Sequence, residues 1–270
     1  MKLFGRYIVV GGMARKLLQL VKTAIAIYGT CKQPSKVLGA YIFKKKLLST
    51  IVLRNGMVVH LSNNKNDIVT FVLVFCRKEY GTMDTYKTVV DIGANIGLFS
   101  LYAASRGCEK IIAVEPNTVS YATLVKNIEA NNLQNTIVPM QMAVSDISGD
   151  RLFIPKDSDP ENIAVELVSA QQQDNYESVE TISLTNLIKI KDLQLVNMLK
   201  MDCEGAEFKI LLPMQESELR GIGNIVMEYH HEPQPLIDHL TNNGFSIRRF
   251  KQVINTRIKV GIIEASRNQP

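Results

Sequence analysis

TVVDIGANIGLFS, residues 88–100, is the stretch from which the fold can be read. The apolar run that ends at Asp91 predicts a strand, the glycines at Gly93 and Gly97 predict a tight loop, and the apolar segment 98–104 predicts a helix. Glycine lets the backbone turn sharply and lets a ligand approach the main chain closely. The helix that follows directs its unpaired N–H groups into the same space. We therefore expect a nucleotide-like ligand at this loop.

After this stretch, short apolar runs alternate with segments of helical periodicity. Strands are predicted at 88–91, 110–115, 136–143, 195–202, 224–230, 245–250 and 257–265, and helices at 97–105, 118–131, 181–190, 205–212 and 234–243. Such alternation is typical of an α/β fold with a mostly parallel sheet and helices on both faces. Ligands bind at the carboxyl ends of the strands in these sheets. The polar segment 152–180 predicts short strands and a mobile loop over the site.

The beginning of the chain has a different composition. Residues 1–66 contain twelve Lys and Arg and no Asp or Glu, although the formal net charge of the whole chain is only +5. We predict a basic, partly amphipathic helical arm over 1–50 and a β-hairpin with a helix, packing on the body, over 51–79. The turn of the hairpin is predicted at Asn55-Gly56. The α/β domain then occupies 80–270.

Within the arm, helical periodicity over 13–28 separates an apolar side from a basic and polar side. The apolar side consists of Leu17, Leu20, Val21, Ala24, Ile25 and Tyr28. Two interpretations stay open, since this side can lie on an anionic membrane or pack on the body of the protein. A second apolar-basic stretch, 37–48, carries Lys44-Lys45-Lys46 with no aromatic residue between them, so a nucleic-acid partner is not expected.

Two further observations concern the location of the protein. No apolar run reaches the ~18 residues that a membrane-spanning helix needs. The four cysteines are scattered and form no C-x-x-C pair, which indicates a reducing compartment. We expect a cytoplasmic protein whose residues 1–50 allow peripheral association with the inner face of a membrane.

The glycine loop itself discriminates between ligands. A dinucleotide site has the pattern G-x-G-x-x-G, but here Asn95 occupies the middle glycine position, so close approach to a pyrophosphate is not favoured. Glu115 ends the second strand, where an acid can accept hydrogen bonds from both hydroxyls of a ribose. Together these residues favour a nucleoside ligand that lacks a pyrophosphate.

Several stretches resemble the FkbM family of S-adenosylmethionine-dependent methyltransferases. They are VVDIGANIGLFSLYAA at 89–104, AVEPNTVSYATLVKNIEANNL at 113–133, MAVSDISGD at 142–150, MLKMDCEGAE at 198–207 and VMEYH at 226–230. The resemblance covers about residues 80–250. It implies a Rossmann-like class I methyltransferase fold, a methyltransferase domain over 80–270, and S-adenosylmethionine as the cofactor.

The resemblance also implies roles for individual residues in binding the cofactor. The residues that line its methionine end would be Asp91, Gly93, Asn95 and Gly97. Glu115 would hold the ribose hydroxyls, and Ala143 and Val144 would lie near the adenine. A place in the core of the sheet is an equal alternative for Ala143 and Val144.

Four polar side chains are expected to converge beside the glycine loop. Asp202 and Glu204 follow one strand, and Glu228 and His230 end the next. Since residues two apart in a strand share a face, Glu228 and His230 point the same way. One of these groups could act as general base toward a hydroxyl acceptor. Alternatively the four could bind a divalent cation, which is allowed but not expected, so no metal ligand is assigned. In a third interpretation, Asp202 caps the next helix and Glu204 complements its dipole.

The sequence therefore predicts a methyltransferase that O-methylates a hydroxyl of a sugar, a glycan or another small metabolite. Methylation of a non-sugar acceptor is the first alternative. The second is a binding module with a methyltransferase fold and no catalysis. The presence of all four polar side chains favours catalysis.

Overall fold

The computed structural model divides the chain into two compact units, Met1–Gly81 and Thr82–Pro270. The structure describes residues 2–3, 6–7, 10–43, 48–62, 64–81, 83, 85–155, 176–252 and 260–267. The predicted boundaries at residues 50 and 79 stay a prediction. None of the helices in these ranges is long and apolar enough to cross a bilayer.

The first unit is mostly helical. Its elements are β1 (Lys2–Leu3), β2 (Arg6–Tyr7), α1 (Val10–Thr30), α2 (Pro34–Phe43), β3 (Thr50–Val52), β4 (Val58–His60), α3 (Asp67–Phe71) and a π-helix (Val72–Cys76). β3 and β4 are antiparallel and flank Asn55-Gly56, so the predicted hairpin is confirmed. The helix predicted after the hairpin, within 51–79, is α3 continued by the π-helix.

Helix α1 buries a different side from the one that its apolar residues suggest. Thr23 and Ile27 are buried, and the Thr23 hydroxyl donates to the carbonyl of Gln19 at 2.8 Å. Leu17 and Ile25, on the predicted apolar side, are 63% and 67% exposed. The predicted apolar side of this helix is therefore open to solvent.

The second unit contains a seven-stranded sheet. Its strands are β5 (Thr88–Ile92), β6 (Lys110–Val114), β7 (Ile137–Met140), β11 (Val196–Met201), β12 (Ile222–Tyr229), β13 (Phe245–Gln252) and β14 (Gly261–Arg267). They lie in the order β13–β14–β12–β11–β5–β6–β7. The five strands from β12 to β7 are parallel, and β14 is antiparallel to both of its neighbours. The predicted α/β fold with a mostly parallel sheet is confirmed.

The centre of this sheet is completely buried. Val90 of β5 lies in register between Leu199 of β11 and Ile112 of β6, and all three side chains are inaccessible to solvent. Strands that are buried on both faces need the continuous apolar runs found here. Strand β5 and the loop after it therefore occupy the middle of the sheet.

Six helices of the second unit lie in its described part. They are α4 (Leu98–Ser105), α5 (Thr118–Ala130), α6 (Leu184–Ile190), α7 (Ala206–Leu211), α8 (Glu216–Leu219) and α9 (Gln234–Asn242). Asn117 caps α5, because its side chain accepts the N–H groups of Val119 and Ser120. Asparagine is one of the residues preferred at this position of a helix.

Two predicted elements have different bounds in the structure. The strand predicted over 136–143 is shorter in the structure, where β7 ends at Met140. Residue 143 instead begins β8 (Ala143–Ser145), which belongs to a second sheet. The other strands of that sheet are β9 (Arg151–Pro155) and β10 (Tyr176–Ser183). The helix predicted over 181–190 begins only at α6, because residues 181–183 pair with β8 and Ser183 caps the helix. Residues 156–175 of the predicted mobile loop and residues 253–259 lie outside the described part of the chain.

Candidate active site

The glycine loop after β5 packs directly on the end of β11. Gly93 has a φ of +70°, and a Cβ at this position would lie 1.9 Å from the carbonyl oxygen of Asp202. The N–H groups of Gly93 and Ala94 both donate to the carbonyl of Val114 at 3.0 Å. Gly97 has a φ of +85° and starts α4. Backbone packing against Asp202 is thus a structural reason for glycine at position 93.

We expect Gly93→Ala to lower the free energy of unfolding by about 3 kcal/mol, because it combines a left-handed conformation with overpacking. Urea denaturation measures this loss. Gly107→Ala is a matched control, since Gly107 has a φ of +93° and no atom within 4 Å of the added Cβ. It should cost only about 1 kcal/mol of conformational strain. Equal losses in the two variants would contradict the role of the Asp202 carbonyl.

The carboxylate of Asp91, just before the glycine loop, is bound by other side chains of the protein. Asp91 is fully buried and accepts the Ser100 hydroxyl at 2.7 Å. Its other carboxylate oxygen lies 3.1 Å from Nζ of Lys200, which is its register partner on β11. Lys200 Nζ also donates to the carbonyl of Gly93 at 2.7 Å. Asp91 therefore fixes the shape of the loop, and its predicted contact with the cofactor stays a prediction.

Glu115 holds the other side of the loop. One of its oxygens accepts the N–H of Asn95 at 2.8 Å, and the other accepts the N–H of Asn117 at 2.8 Å. Asn95 has the left-handed φ of +49°, which asparagine adopts more readily than most residues. Burial raises the pKa of Glu115 to about 7, and the two N–H donors oppose this rise. Because each carboxylate oxygen has two lone pairs, Glu115 keeps acceptor capacity for ribose hydroxyls.

Ala143 and Val144 lie on β8, and both are buried. Ala143 packs in a small cluster with Ile154 and Val179, and Val144 belongs to the main core. The core alternative for these two residues is thus compatible with the structure. Their proximity to an adenine stays a prediction.

The structure brings together the polar groups that follow β11 and β12. Asp202 and Glu204 follow β11, Glu228 lies on β12, and His230 follows it. Nε2 of His230 lies 3.3 Å from Oε2 of Glu204. The donor atoms of Asp202, Glu204 and His230 all lie within 4.8 Å of one another, a spacing that could hold a metal ion. The predicted convergence of Asp202, Glu204 and His230 is therefore present.

Glu207 is a member of this cluster that sequence reasoning missed. Its side chain is inaccessible to solvent, and Oε1 lies 3.4 Å from Nδ1 of His230. The same oxygen accepts the N–H of Cys203 at 3.0 Å. In the sequence, Glu207 is an acid in the first turn of a predicted helix. An acid at that position is commonly explained by the helix dipole alone. Gly205 is the N-cap residue of α7 and no side chain caps this helix, so the interpretation of Asp202 as the cap is not supported.

Burial and mutual contact shift the ionisation of these groups. Burial raises the pKa of Glu204 to about 7 against the opposing charge of His230. Burial and the charge of Asp202 raise the pKa of Glu228 to about 7. Burial by itself lowers the pKa of His230, but its contact with Glu207 raises it to about 9. The pKa of Glu207 is lowered because His230 more than offsets its burial. Near neutral pH, the cluster thus holds an imidazolium between carboxyl groups.

This arrangement can take up a proton close to the glycine loop. A general base works best when its pKa is near the operating pH, and Glu204 meets this condition. Nδ1 of His230 contacts the buried carboxylate of Glu207, and this contact fixes the orientation of the ring. The same donor set of two carboxylates and an imidazole also suits a divalent cation. The structure is compatible with either use of the cluster.

Comparison with known proteins identifies related sequences. A family model described as "Methyltransferase FkbM domain" matches residues 91–247. Methyltransferase sdnD of Sordaria araneosa is 27% identical over 60% of this chain and 74% of its own. Hexuronic acid methyltransferase AglP of Haloferax volcanii is 26% identical over 54% of this chain but only 56% of its own. The 31-O-demethyl-FK506 methyltransferase FkbM of Streptomyces tacrolimicus is 27% identical over 59% of this chain and 72% of its own.

Solved structures share the fold at low sequence identity. The METTL16 methyltransferase domain aligns with a TM-score of 0.51 and 14% identity, over 88% of this chain and 94% of that one. A putative tRNA (m1A22) methyltransferase of Streptococcus pneumoniae, solved in complex with S-adenosyl-L-methionine, aligns with a TM-score of 0.45 and 15% identity. This second alignment covers 72% of this chain and 73% of that one. The METTL16 alignment and the mostly parallel sheet establish the Rossmann-like class I methyltransferase fold.

Proposed function

The chain belongs to the FkbM methyltransferase domain family, and on that premise we propose that it O-methylates a hydroxyl of a sugar, a glycan or another small metabolite. The methyl donor is S-adenosylmethionine, whose sulfonium group supplies an activated methyl. The observation that carries the proposal is the series Glu204–His230–Glu207, whose members follow β11 and β12 in the chain. The closeness of the Asp202 carbonyl to Gly93 supports a position of this series near the predicted cofactor site.

The residues proposed to bind the cofactor surround the loop. Gly93, Asn95 and Gly97 would line its methionine end, and Asp91 would hold their backbone in shape through Lys200. Glu115 would accept the ribose hydroxyls with the lone pairs that Asn95 and Asn117 leave open. Ala143 and Val144 would lie near the adenine. The residues present thus fit the cofactor.

We assign Glu204 as the general base of the reaction. As the acceptor oxygen bonds to the methyl carbon and the carbon–sulfur bond breaks, the hydroxyl proton passes to the Glu204 carboxylate. Positioning of the acceptor in line with the methyl group supplies much of the rate enhancement. Asp202 and Glu228 are proposed to hold the acceptor by accepting hydrogen bonds from its other hydroxyls.

His230 has an electrostatic role in this proposal. Its imidazolium lies 3.3 Å from the Glu204 carboxylate and keeps part of that group ionised against the effect of burial. Glu207 stabilises the imidazolium from the opposite ring nitrogen. Glu207 is therefore a positioning residue that acts through His230.

The class of acceptor is supported by the names of two relatives. One is a hexuronic acid methyltransferase and the other a 31-O-demethyl-FK506 methyltransferase. The second name specifies methylation of an oxygen in a small molecule. A cluster of carboxylates that can accept several hydrogen bonds suits a polyhydroxylated acceptor.

The cofactor site is tested by calorimetry with S-adenosylhomocysteine. We expect the wild-type protein to bind, and Glu115→Ala to weaken binding at least about 100-fold, because it removes a charged acceptor and the partner of the Asn95 N–H. Glu129→Ala is the matched control, since Glu129 is exposed on α5. Tight binding of NAD in place of S-adenosylhomocysteine would overturn the assignment.

The reaction is tested by transfer of a labelled methyl group to uronic acids, neutral sugars and aliphatic alcohols. Label in an alkali-stable ether supports the proposal. Label in an alkali-labile ester would mean that a carboxylate is the acceptor and would overturn O-methylation of a hydroxyl. Cofactor binding without transfer to host glycan, lipid, protein or small-molecule fractions would favour the binding module without catalysis.

A further inference from the structure

Helix α1 presents an exposed apolar stripe that the methyltransferase reaction does not use. The stripe consists of Leu17, Leu18, Val21, Ile25 and Tyr28, which are 63%, 56%, 47%, 67% and 49% exposed. At 100° per residue, these positions fall within an arc of about 100° on the helix. Isolated exposed apolar residues are ordinary, but a continuous stripe of this kind marks an interaction surface.

The stripe points away from the core of its own unit. Thr23 and Ile27, which are 3% and 0% exposed, lie on the opposite side of α1. Lys22, next to the stripe, is exposed, as are Lys32 after α1 and Lys36 on α2. The helix therefore has an apolar outer face with positive charge beside it.

The charge of the surrounding unit selects among the partners that could cover this face. Residues 1–81 contain 14 Lys and Arg but only 2 Asp and Glu. A second copy of the same unit would bring like charge onto like charge. A nucleic acid would satisfy the charge but would leave the apolar stripe in water. An anionic lipid surface satisfies both, because the headgroups attract Lys and Arg while the acyl chains accept Leu, Ile and Tyr.

We propose that α1 docks on the surface of an anionic lipid bilayer, with the exposed apolar stripe inserted between the headgroups. The helix lies in the plane of the interface, and basic side chains of the unit contact lipid phosphates. Docking would bring the second unit to a membrane surface, where lipid-linked or membrane-bound acceptors are concentrated. The inference does not depend on the identity of the methyl acceptor.

Sedimentation of the protein with vesicles tests the proposal. Vesicles of phosphatidylcholine with phosphatidylglycerol should bind the protein, whereas pure phosphatidylcholine should bind it at least about tenfold more weakly. Raising the salt to about 1 M shortens the Debye length to about 3 Å and should release most of the protein. Equal binding to both kinds of vesicle would overturn the role of the basic residues.

Two triple variants separate the stripe from apolar surface in general. Leu17→Ser with Val21→Ser and Ile25→Ser should reduce vesicle binding at least about tenfold, because it removes most of the inserted apolar area. Val119→Ser with Ile147→Ser and Ile190→Ser is the matched control, since these residues are 63%, 52% and 61% exposed in the other unit. The control should bind like the wild type. Circular dichroism and S-adenosylhomocysteine binding establish that both variants are folded.

Four results would contradict lipid docking. The first is no binding to anionic vesicles, and the second is the same loss of binding in both triple variants. The third is self-association, measured by analytical ultracentrifugation without lipid, that only the α1 variant abolishes, because the stripe would then be an interface between copies. Binding of an RNA oligonucleotide that the α1 variant weakens as much as vesicle binding would assign the surface to nucleic acid instead.

Discussion

Glu204→Gln is expected to reduce the turnover of methyl transfer by about 10²–10⁴-fold, the usual contribution of a general base. The substitution keeps the size and hydrogen-bonding capacity of the side chain but removes its ability to take up a proton. The affinity for S-adenosylhomocysteine should stay near that of the wild type, because the proposed cofactor contacts lie on the glycine loop and at Glu115. Calorimetry and initial rates on the same preparation measure the two effects.

The pH dependence of turnover provides a second readout of the same residue. The base must be ionised, so turnover should rise as the pH increases through about 7, the pKa of Glu204. It should then stay level as His230, with a pKa of about 9, loses its proton, because Glu204 is by then fully ionised. Glu204→Gln should lose the rising limb. Glu207→Gln should move the rising limb to higher pH, because the neutral amide stabilises the imidazolium less than the carboxylate does, and a neutral His230 no longer favours the ionised form of Glu204.

Two controls limit the interpretation of Glu204→Gln. Glu129→Gln on the exposed side of α5 should leave turnover unchanged. Assays with and without a chelator distinguish proton transfer from cation binding at Asp202, Glu204 and His230. If the chelator abolishes turnover and Mn²⁺ restores it, the cluster holds a cation and Glu204 is a ligand. Unchanged turnover in Glu204→Gln would contradict both roles.

Lys200→Met is expected to lower the free energy of unfolding by about 3–5 kcal/mol, because it leaves the charge of Asp91 buried without its cationic partner. Lys200 and Asp91 are 5% and 0% exposed, and their charged atoms lie 3.1 Å apart. Methionine keeps most of the volume of lysine, so the loss measures the charge and not a cavity. The carbonyl of Gly93 also loses its donor. Urea denaturation of the two proteins gives the difference.

Lys87→Met is the matched control for the buried pair. Lys87 and Glu109 form an ion pair of similar length, 2.9 Å, but their side chains are 72% and 65% exposed. Exposed pairs contribute about 0–1 kcal/mol. Asp91→Asn combined with Lys200→Met should recover part of the lost stability, because no uncompensated charge is then buried. A double variant less stable than Lys200→Met alone would mean that the pairing is not the cause.

Much of the site could be predicted from local patterns in the sequence. The strand, glycine loop and helix around Asp91 follow from apolar runs broken by glycine, and the cap at Asn117 follows from its position before a helix. These signals are local, because the residues that determine the backbone are neighbours in the chain. The convergence of Asp202 and His230 followed from a rule about the edges of parallel sheets.

The residues that were missed depend on contacts between distant segments. Lysine in a strand is normally exposed, and only the register of β11 on β5 shows that Lys200 faces Asp91. Glu207 in a first helical turn is explained by the helix dipole until the position of His230 is known. The buried side of α1 could not be predicted from the sequence either. Thr23 can be buried because the carbonyl of Gln19 accepts its hydroxyl. Polar residues can be buried when they have hydrogen-bonding or charged partners, and the hydrophobic periodicity of the sequence does not show these partners.

The contact between Lys200 and the glycine loop has a consequence for folding. Lys200 and Gly93 are 107 positions apart in the chain, yet the lysine holds the carbonyl that shapes the loop. Closing so long a stretch costs entropy before any contact compensates for it, so pairing of β5 with β11 is a slow, non-local step. During synthesis, the loop acquires its final shape only after β11 has left the ribosome. A nascent chain that ends before residue 200 therefore lacks the polar cluster that begins at Asp202, and its glycine loop lacks the Lys200 donor.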